Sequence, residues 1–272
     1  MSDERPIGVF DSGIGGLTVL RALRNHLPQE SFVYLGDTAR LPYGTKSSAT
    51  VVTYAIQAAR ALVRRNVKML VVACNTASSV ALGPLEAALA PLPVIGVVGP
   101  GAAAGNAACR NGHIAVIATE GTVQGGAYSR ALHALRPELR ISQIACTLFV
   151  ALAEEGWVDG PVMEGAARRY LDPLFTDRAD APDTLVLGCT HFPALAPALG
   201  RLLGPQVTLV DSAETTALAV ADALRAHGLR AGDQRRGAVH FLVSDSPGRF
   251  IRVGPVFLGE TIPADQVETL DL

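Results

Sequence analysis

The chain has 272 residues, of which 49% are hydrophobic and 18% are charged, and its formal net charge is −2. This composition is typical of a globular protein with a large core, and it excludes a disordered chain. A net charge this small gives no electrostatic basis for binding nucleic acid or an anionic membrane. No signal peptide or membrane helix is predicted, and four cysteines without a CxxC motif favour free thiols in a reducing cytoplasm.

Short apolar runs alternate with Ala- and Leu-rich stretches of helical spacing through most of the sequence. In the first of these stretches, one apolar face is formed by Val19, Leu20, Leu23 and Leu27. Such alternation predicts βαβ units and an α/β fold with parallel sheets. The predicted strands are, in chain order, 7–10, 32–35, 69–73, 94–97, 114–118, 141–145, 184–187, 207–210 and 239–243.

Two Gly/Pro-rich segments indicate where the chain passes between domains. Residues 96–101 read Gly-Val-Val-Gly-Pro-Gly and are a candidate hinge, and residues 204–210 are a candidate return crossing. The sequence therefore predicts a second α/β domain, 98–207, inserted into a first domain formed by 1–97 and 208–272.

A cysteine follows each of two predicted strands. Cys74, Asn75 and Thr76 come after the strand at 69–73, and Cys189 comes two residues after the strand at 184–187. Ligands of parallel α/β sheets bind at the carboxyl ends of the strands. A single cysteine there is more often a buried core residue, but a second one in the matching position favours a reactive pair. The start of a helix after Cys74 predicts a lowered thiol pKa.

The neighbours of Cys189 add titratable chemistry. Thr190 supplies a hydroxyl and His191 an imidazole, which can pair with a thiolate or shuttle its proton. His191 could equally be a hydrogen-bonded structural histidine. The repeated placement of a cysteine before polar residues favours the functional interpretation of both motifs.

The loop after the first predicted strand reads Asp-Ser-Gly-Ile-Gly-Gly at residues 11–16. It lacks the GxGxxG pattern of dinucleotide sites, and the Asp11 carboxylate would repel a pyrophosphate. Asp11 suits an ammonium group or a role in tuning a nearby thiol. The alternative is a tight turn in which Asp11 caps the helix.

Three further segments carry candidate binding residues. Pro42 and Gly44 fix a turn in which Tyr43 either covers a pocket or packs on the surface. Thr119 and Thr122 either bind a carboxylate or cap the following helix. Glu154, in a separate segment, either enters the cleft or ends a solvated helix.

Together these residues suit inversion of a carbon centre by proton transfer from two sides. One group must be a thiolate while the other is a thiol, and the roles exchange in the reverse direction. A pyridoxal phosphate mechanism needs a Schiff-base lysine, and Lys68, one of only two lysines, lies at the wrong end of a strand. The histidines and cysteines show no metal-ligand spacing, so we predict neither cofactor nor metal.

The sequence closely resembles the glutamate racemases of the aspartate/glutamate racemase superfamily over nearly its whole length. The segments that carry the resemblance are 10–17 (Phe-Asp-Ser-Gly-Ile-Gly-Gly-Leu), 36–44, 73–77 (Ala-Cys-Asn-Thr-Ala), 118–122 (Ala-Thr-Glu-Gly-Thr) and 188–191 (Gly-Cys-Thr-His). The resemblance implies two similar, doubly wound α/β domains facing a cleft. It also implies cofactor-independent interconversion of L- and D-glutamate, an isomerase activity that supplies D-glutamate for peptidoglycan in the bacterial cell wall.

The resemblance also implies the roles of particular residues. Cys74 and Cys189 would carry the proton, assisted by Asp11, Glu154 and His191. The substrate would be bound at Asp11, Ser12, Pro42, Tyr43, Gly44, Asn75, Thr76, Thr119, Thr122, Thr190 and His191. The partner is then a small molecule, glutamate, with no nucleic acid or membrane, and a homodimer is left open.

One segment departs from the family pattern. Members usually read Cys-Pro-Leu-Phe-Val-Pro before the glutamate, whereas this chain has Thr147 and Ala151 in place of the two prolines. The motif therefore does not fix the placement of Glu154. Two rival functions are an aspartate racemase of the same superfamily and a dicarboxylate or amino-acid binding module with two inert thiols.

Overall fold

The computed structural model describes residues 2–177, 180–232 and 236–272. The strands are β1 (Ile7–Asp11), β2 (Phe32–Gly36), β3 (Met69–Val72), β4 (Val94–Gly96), β5 (His113–Ala118), β6 (Arg140–Ala145), β7 (Thr184–Gly188), β8 (Thr208–Asp211), β9 (Val239–Val243) and β10 (Val267–Thr269). The α-helices are α1 (Leu17–His26), α2 (Ser48–Val63), α3 (Asn75–Val80), α4 (Leu82–Leu89), α5 (Val98–Ala108), α6 (Glu120–Gly125), α7 (Ala127–Leu135), α8 (Leu148–Glu154), α9 (Gly160–Phe175), α10 (Ala196–Leu203), α11 (Ser212–Ala226), α12 (Pro247–Val253) and α13 (Pro255–Leu258).

The strands form two sheets, and every strand pair in the described residues is parallel. The first sheet has the order β10-β9-β2-β1-β3-β4, and the second has the order β6-β5-β7-β8. The predicted α/β class with parallel sheets is confirmed, and each predicted strand overlaps an observed one. The sequence analysis missed β10, whose three residues include a charged glutamate and give too short an apolar pattern.

The chain enters the second sheet through α5 and returns to the first through α11. The predicted hinge at 96–101 is the end of β4 and the first turn of α5 rather than an open loop. The predicted boundary after residue 207 falls just before β8, which pairs with β7 in the second sheet. The division into two domains remains a prediction, which the two separate sheets favour.

The central strands are buried on both faces because helices cover both sides of each sheet. All five residues of β1 and all four of β3 are buried. The predicted apolar face of the first helix is confirmed, since Val19, Leu20 and Leu23 are buried. Because core side chains fill both faces of each sheet, reactive side chains can meet a ligand only at the ends of the strands.

The carboxyl edges of the two sheets contact each other. The Thr18 hydroxyl of α1 donates a hydrogen bond to the Thr190 carbonyl oxygen at 3.0 Å. The Tyr128 hydroxyl of α7 donates to Asn75 Oδ1 of α3 at 2.8 Å. These contacts bring the segment after β3 and the segment after β7 into one region.

Candidate active site

Cys74 lies at the carboxyl edge of the first sheet, two residues after β3. It caps the start of α3, and its sulfur accepts a hydrogen bond from the Ala77 backbone N–H at 3.4 Å. The thiol donates to the Ser12 hydroxyl oxygen, also at 3.4 Å. Only 4% of Cys74 is exposed, so its thiol is almost closed off from solvent.

The predicted lowering of the Cys74 pKa is wrong. Burial disfavours the charged thiolate and raises the pKa of Cys74 to about 12, and the nearby Asp11 carboxylate acts in the same direction. The hydrogen bonds with Ser12 and Ala77 lower the pKa, but by less than burial raises it. Since α3 is only six residues long, its dipole is a weak counterweight. The neutral thiol form of Cys74 is therefore favoured in this buried position.

Cys189 lies at the carboxyl edge of the second sheet and is 5% exposed. Its sulfur is 3.8 Å from His191 Nδ1, and His191 Nε2 is 3.0 Å from Glu154 Oε1. Burial lowers the pKa of His191, but the hydrogen bonds with Cys189 and Glu154 outweigh it and raise the pKa to about 10. The protonated form of His191 is therefore favoured beside the Cys189 sulfur.

Glu154 connects His191, in the half of the molecule built on the second sheet, to Arg249, in the half built on the first. Its Oε2 accepts a hydrogen bond from Arg249 Nη2 of α12 at 2.6 Å. Burial raises the pKa of Glu154, but His191 and Arg249 together bring it below its usual value. We call His191, Glu154 and Arg249 the Cys189 network. The sequence analysis missed Arg249, which lies 95 residues from Glu154 in a segment without a recognisable motif.

The two cysteines line one cavity of about 40 Å³. The residues around it are Ser12, Pro42, Tyr43, Gly44, Cys74, Asn75, Thr76, Thr119, Val150, Cys189, Thr190 and His191. All of these except Val150 belong to the predicted site, although their roles stay predictions. A wider depression of about 490 Å³ around Arg110 and Asp183 contains neither thiol. The location of the site therefore rests on its chemistry rather than on cavity size.

Three predicted residues lie behind the cavity rather than in its wall. Asp11 is fully buried and accepts a hydrogen bond from the Gly13 N–H at 2.9 Å. Burial raises the pKa of Asp11, while His191 and nearby backbone N–H groups oppose this rise. Glu154 reaches the cavity only through His191, and Thr122 only through neighbouring hydroxyls. They support residues of the cavity wall.

Three threonine hydroxyls join the two halves beside the cavity. The Thr76 hydroxyl lies 2.9 Å from that of Thr119 and 3.2 Å from that of Thr122, and the last two are 3.0 Å apart. Thr119 also caps α6 by accepting the Thr122 N–H. The predicted capping role of Thr119 is confirmed, and its position beside the cavity is compatible with the predicted carboxylate binding.

Asp37 holds the loop that carries Tyr43 and was missed as a site residue. This fully buried carboxylate accepts hydrogen bonds from the Tyr43 hydroxyl at 2.5 Å and from Arg40 Nε at 2.7 Å. Ser244, just after β9, donates to its other oxygen at 2.8 Å. Tyr43 is 1% exposed, so it packs against the cavity rather than on the surface.

The segment that lacks the two prolines forms a regular helix that ends at Glu154. The segment forms α8, which starts after Thr147 and runs through Ala151 to Glu154. The Tyr170 hydroxyl of α9 accepts the Leu148 N–H at 3.3 Å and holds the start of α8. Glu154, at the end of α8, then meets His191.

Among residues 2–177, 180–232 and 236–272, no group of three or more His, Cys, Asp or Glu side chains is arranged to hold a metal ion. In the same residues, no helix combines the length and the apolar character needed to cross a membrane. All four cysteines are free thiols and are buried.

The fold and the site define a class of α/β protein in which two parallel sheets each present a thiol at the edge that faces the other sheet. Comparison with known proteins identifies the family. The model of the family described as Asp/Glu/Hydantoin racemase matches residues 17–220. The glutamate racemase of Geobacter metallireducens is 51% identical over 255 residues, which cover 94% of this chain and 93% of that protein. The chain therefore belongs to the Asp/Glu/Hydantoin racemase family.

Solved structures of similar proteins agree with this assignment. The glutamate racemase of Francisella tularensis, solved in complex with D-glutamate, is 36% identical and superposes with a TM-score of 0.91, covering 99% of this chain and 98% of that chain. The glutamate racemase of Thermus thermophilus, solved with beta-chloro-D-alanine, is 46% identical with a TM-score of 0.87, covering 100% of this chain and 99% of that one. The fold thus matches these racemases across both halves.

Proposed function

We propose that this protein is a glutamate racemase, an isomerase that interconverts L- and D-glutamate by moving the α-proton between Cys74 and Cys189 without a cofactor. The observation that carries the proposal is the shared cavity. One thiol enters it from each sheet, and both are almost completely buried. The relatives that match nearly the full chain are glutamate racemases, which supports glutamate as the substrate.

In one direction the Cys74 thiolate removes the α-proton and the C–H bond breaks, leaving a carbanion stabilised by the substrate carboxylate. The Cys189 thiol then donates its proton to the opposite face of the same carbon. Cys74 ends as a thiol and Cys189 as a thiolate. This is the starting state of the reverse reaction, so the same site works in both directions.

The Cys74 thiol must lose its proton before it can act as a base. Burial raises the pKa of Cys74 to about 12. A bound amino acid brings a positively charged ammonium group into this dry cavity, and a nearby cation favours the thiolate. Substrate binding is therefore expected to favour the thiolate that acts as the base.

Several polar groups of the cavity are available to hold the substrate. The Asn75 side-chain nitrogen is buried and has no hydrogen-bond partner among the described residues. Its oxygen is already fixed by Tyr128, so the free N–H groups can donate to a ligand carboxylate. The hydroxyls of Thr76, Thr119 and Thr190 add further donors. This set suits a substrate with carboxylates at both ends.

Glutamate cannot enter the cavity as it stands. It has ten non-hydrogen atoms, whereas about 40 Å³ has room for only a few water molecules. The contacts that close the cavity run between the two halves, as at Thr76 and Thr119. We therefore propose that the halves separate to admit substrate and close over it, which excludes water from the proton transfer.

The decisive experiment follows D-glutamate in heavy water, without added cofactor, by circular dichroism and proton NMR. We expect the optical signal to decay to zero, with one solvent deuteron at the α-carbon of the product. A protein that binds glutamate but neither racemises it nor exchanges its α-proton would be the binding module. Turnover of L-aspartate but not L-glutamate would instead identify an aspartate racemase.

We further propose a cytoplasmic role in supplying D-glutamate for peptidoglycan and cell wall biogenesis. The support is the resemblance to the glutamate racemases. Growth of a D-glutamate auxotroph carrying this chain on medium without D-glutamate would support the role, and continued dependence on added D-glutamate would refute it. A homodimer stays a prediction that sedimentation equilibrium can test.

A further inference from the structure

We propose that Arg249 is a positioning residue that holds Glu154 against His191, so that the Cys189 network is complete only when the two halves of the molecule are closed. The inference rests on the proposed function for its catalytic meaning. Its structural content is an ion pair between α12, which connects two strands of the first sheet, and α8, which follows a strand of the second. Arg249 does not line the cavity and does not touch the reacting atoms.

The geometry of Glu154 shows why a partner from the opposite half matters. The carboxylate is 12% exposed and uses one oxygen for each neighbour, Oε1 for His191 and Oε2 for Arg249. Glu154 is the last residue of α8, where a side chain is less restrained than in the middle of a helix. A second, charge-assisted contact fixes its orientation.

The placement of Arg249 is itself held by the loop after β2, in the same half of the molecule. Ser246, just before α12, has a positive φ of 50°, which is uncommon for a residue other than glycine. The chain is anchored there by the Asp245 N–H, which donates to Thr38 Oγ1 at 2.9 Å. Ser244 is bonded to Asp37, the residue that also holds Tyr43. The same anchor thus positions one wall of the cavity and the helix that bears Arg249.

The charged and titratable groups around Glu154 come from several elements. His191 faces it from the segment after β7, and Arg249 faces it from α12. His191 is in turn faced by Cys189 and by Asp11 at the end of β1. The helix α9, packed against α8, contributes the Tyr170 hydroxyl at the far end of α8, where it accepts the Leu148 N–H. Arg249 is therefore the cation that acts on Glu154 from the first half.

The contact between Arg249 and Glu154 links closure of the two halves to protonation of the Cys189 network. When the halves separate, Arg249 and Glu154 must part, because they belong to different sheets. The Phe257 ring of α13, which packs edge-on against His191 at 5.1 Å, would leave as well. The opened state therefore has a less restrained Glu154 and a more hydrated His191, and closure over substrate restores the arrangement beside Cys189.

The test compares three variants of the full-length protein. Arg249→Gln removes the charge, Arg249→Lys keeps it, and Arg252→Gln is the matched control. Arg252 lies on the same helix and makes no hydrogen bond or ion pair within the described part of the chain. The first measurement is the titration of the Glu154 side-chain carboxyl by carbon-13 NMR, assigned by its loss in Glu154→Gln.

We expect the pKa of Glu154 to rise in Arg249→Gln, to return towards the wild-type value in Arg249→Lys and to stay unchanged in Arg252→Gln. This measurement needs no turnover, so it separates failure of the inference from failure of the proposed racemase activity. An unchanged Glu154 titration in folded Arg249→Gln would overturn the inference.

The second measurement is the pH profile of racemisation. With Arg249→Gln we expect kcat to fall about tenfold, as when the support of a catalytic group is loosened. The acid limb should move to higher pH because Glu154 takes up a proton more easily. A lowered melting temperature with an unchanged pH profile would mean that Arg249 has only a structural role.

Discussion

The two cysteines differ in how their surroundings treat charge, although each follows a parallel strand and each is buried. Cys74 has only weak neutral partners, Ser12 and the Ala77 N–H, both at 3.4 Å. Cys189 has an imidazole at 3.8 Å, backed by the carboxylate of Glu154. The first thiol is kept neutral by a dry environment, and the second stands at the end of a charged network.

This difference indicates how one site can serve a reversible reaction with two unequal halves. The free energies of L- and D-glutamate are equal, so kcat/KM must be the same in both directions whatever the asymmetry of the site. The asymmetry appears instead in which proton transfer is slower for each enantiomer.

The largest effect is expected from removing either thiol. Cys74→Ala and Cys189→Ala should each lower racemisation by about 10³-fold, because each removes the only acid–base group on one face of the α-carbon. The double variant should be little worse than either single one, since the two residues act as a unit. Polarimetry of both enantiomers measures the loss.

Cys109→Ala is the matched control, since Cys109 is also a buried free thiol but does not line the cavity. It should keep nearly full activity. Full activity in either Cys74→Ala or Cys189→Ala would mean that only one of the two thiols is catalytic and that the other is inert.

The next largest effect is expected where the first half meets the Cys189 network. A Cβ on Gly15 would lie 2.5 Å from His191 Nδ1 and 2.5 Å from Thr190 Oγ1, which is too close for atoms to approach. Gly15→Ala should therefore keep the halves from closing and lower kcat/KM by about 10²-fold, the loss typical of misplaced catalytic groups. Steady-state kinetics would measure this loss.

Gly83→Ala provides the contrast. Apart from its chain neighbours, a Cβ on Gly83 in α4 meets no heavy atom within 4 Å, so alanine there should leave closure and activity intact. Wild-type kinetics in Gly15→Ala would show that the contact between Gly15 and His191 is not needed for catalysis.

Glu154→Gln tests the charge of the Cys189 network through stability and pH. The pKa of His191 is raised to about 10 in the folded protein. The stability that the protonated imidazole contributes is therefore fully present below pH 6.5 and is lost as the pH rises towards 10. The pKa of Glu154 is lowered, so its contribution is present above about pH 4.5 and is lost on acidification. Between about pH 4.5 and pH 6.5 the free energy of unfolding of wild type should exceed that of the variant by its largest amount, roughly 1.5–3 kcal/mol.

Denaturant unfolding from pH 4 to pH 10 measures this window. Glu155→Gln, which changes the exposed neighbouring residue, should show no such pH-dependent difference. A stability difference between wild type and Glu154→Gln that does not vary with pH would mean that the network carries no ionic interaction.

Much of this arrangement could be predicted from the sequence. Buried parallel strands appear as continuous apolar runs, and the rule that ligands bind at their carboxyl ends pointed to Cys74, Thr119 and Cys189. Arg249 could not be found in this way, because its role depends on how α12 of one half meets α8 of the other. The pKa of Cys74 was predicted wrongly because a local helix start is visible in the sequence, whereas the depth of burial is set by the closed fold.

The smallest effect is expected from the weak partner of Cys74. Ser12→Ala removes a hydroxyl that accepts a hydrogen bond from the neutral thiol and can turn to donate one to the thiolate. The second bond lowers the pKa of Cys74, so the thiolate becomes harder to form in the variant. A neutral hydrogen bond contributes about 0.5–1.5 kcal/mol, which predicts a few-fold loss of kcat. Ser79→Ala is the control, because the Ser79 hydroxyl is buried without a partner among the described residues and its removal should be nearly neutral.

Isotope effects on kcat/KM with α-deuterated L- and D-glutamate test the surroundings of both thiols in one experiment. Ser12→Ala slows the transfer at Cys74, so the isotope effect should grow for the enantiomer deprotonated by Cys74 and shrink for its mirror image. Glu154→Gln slows the transfer at Cys189, so it should produce the opposite pattern. Equal changes for both enantiomers in both variants would contradict the view that each thiol depends on its own surroundings.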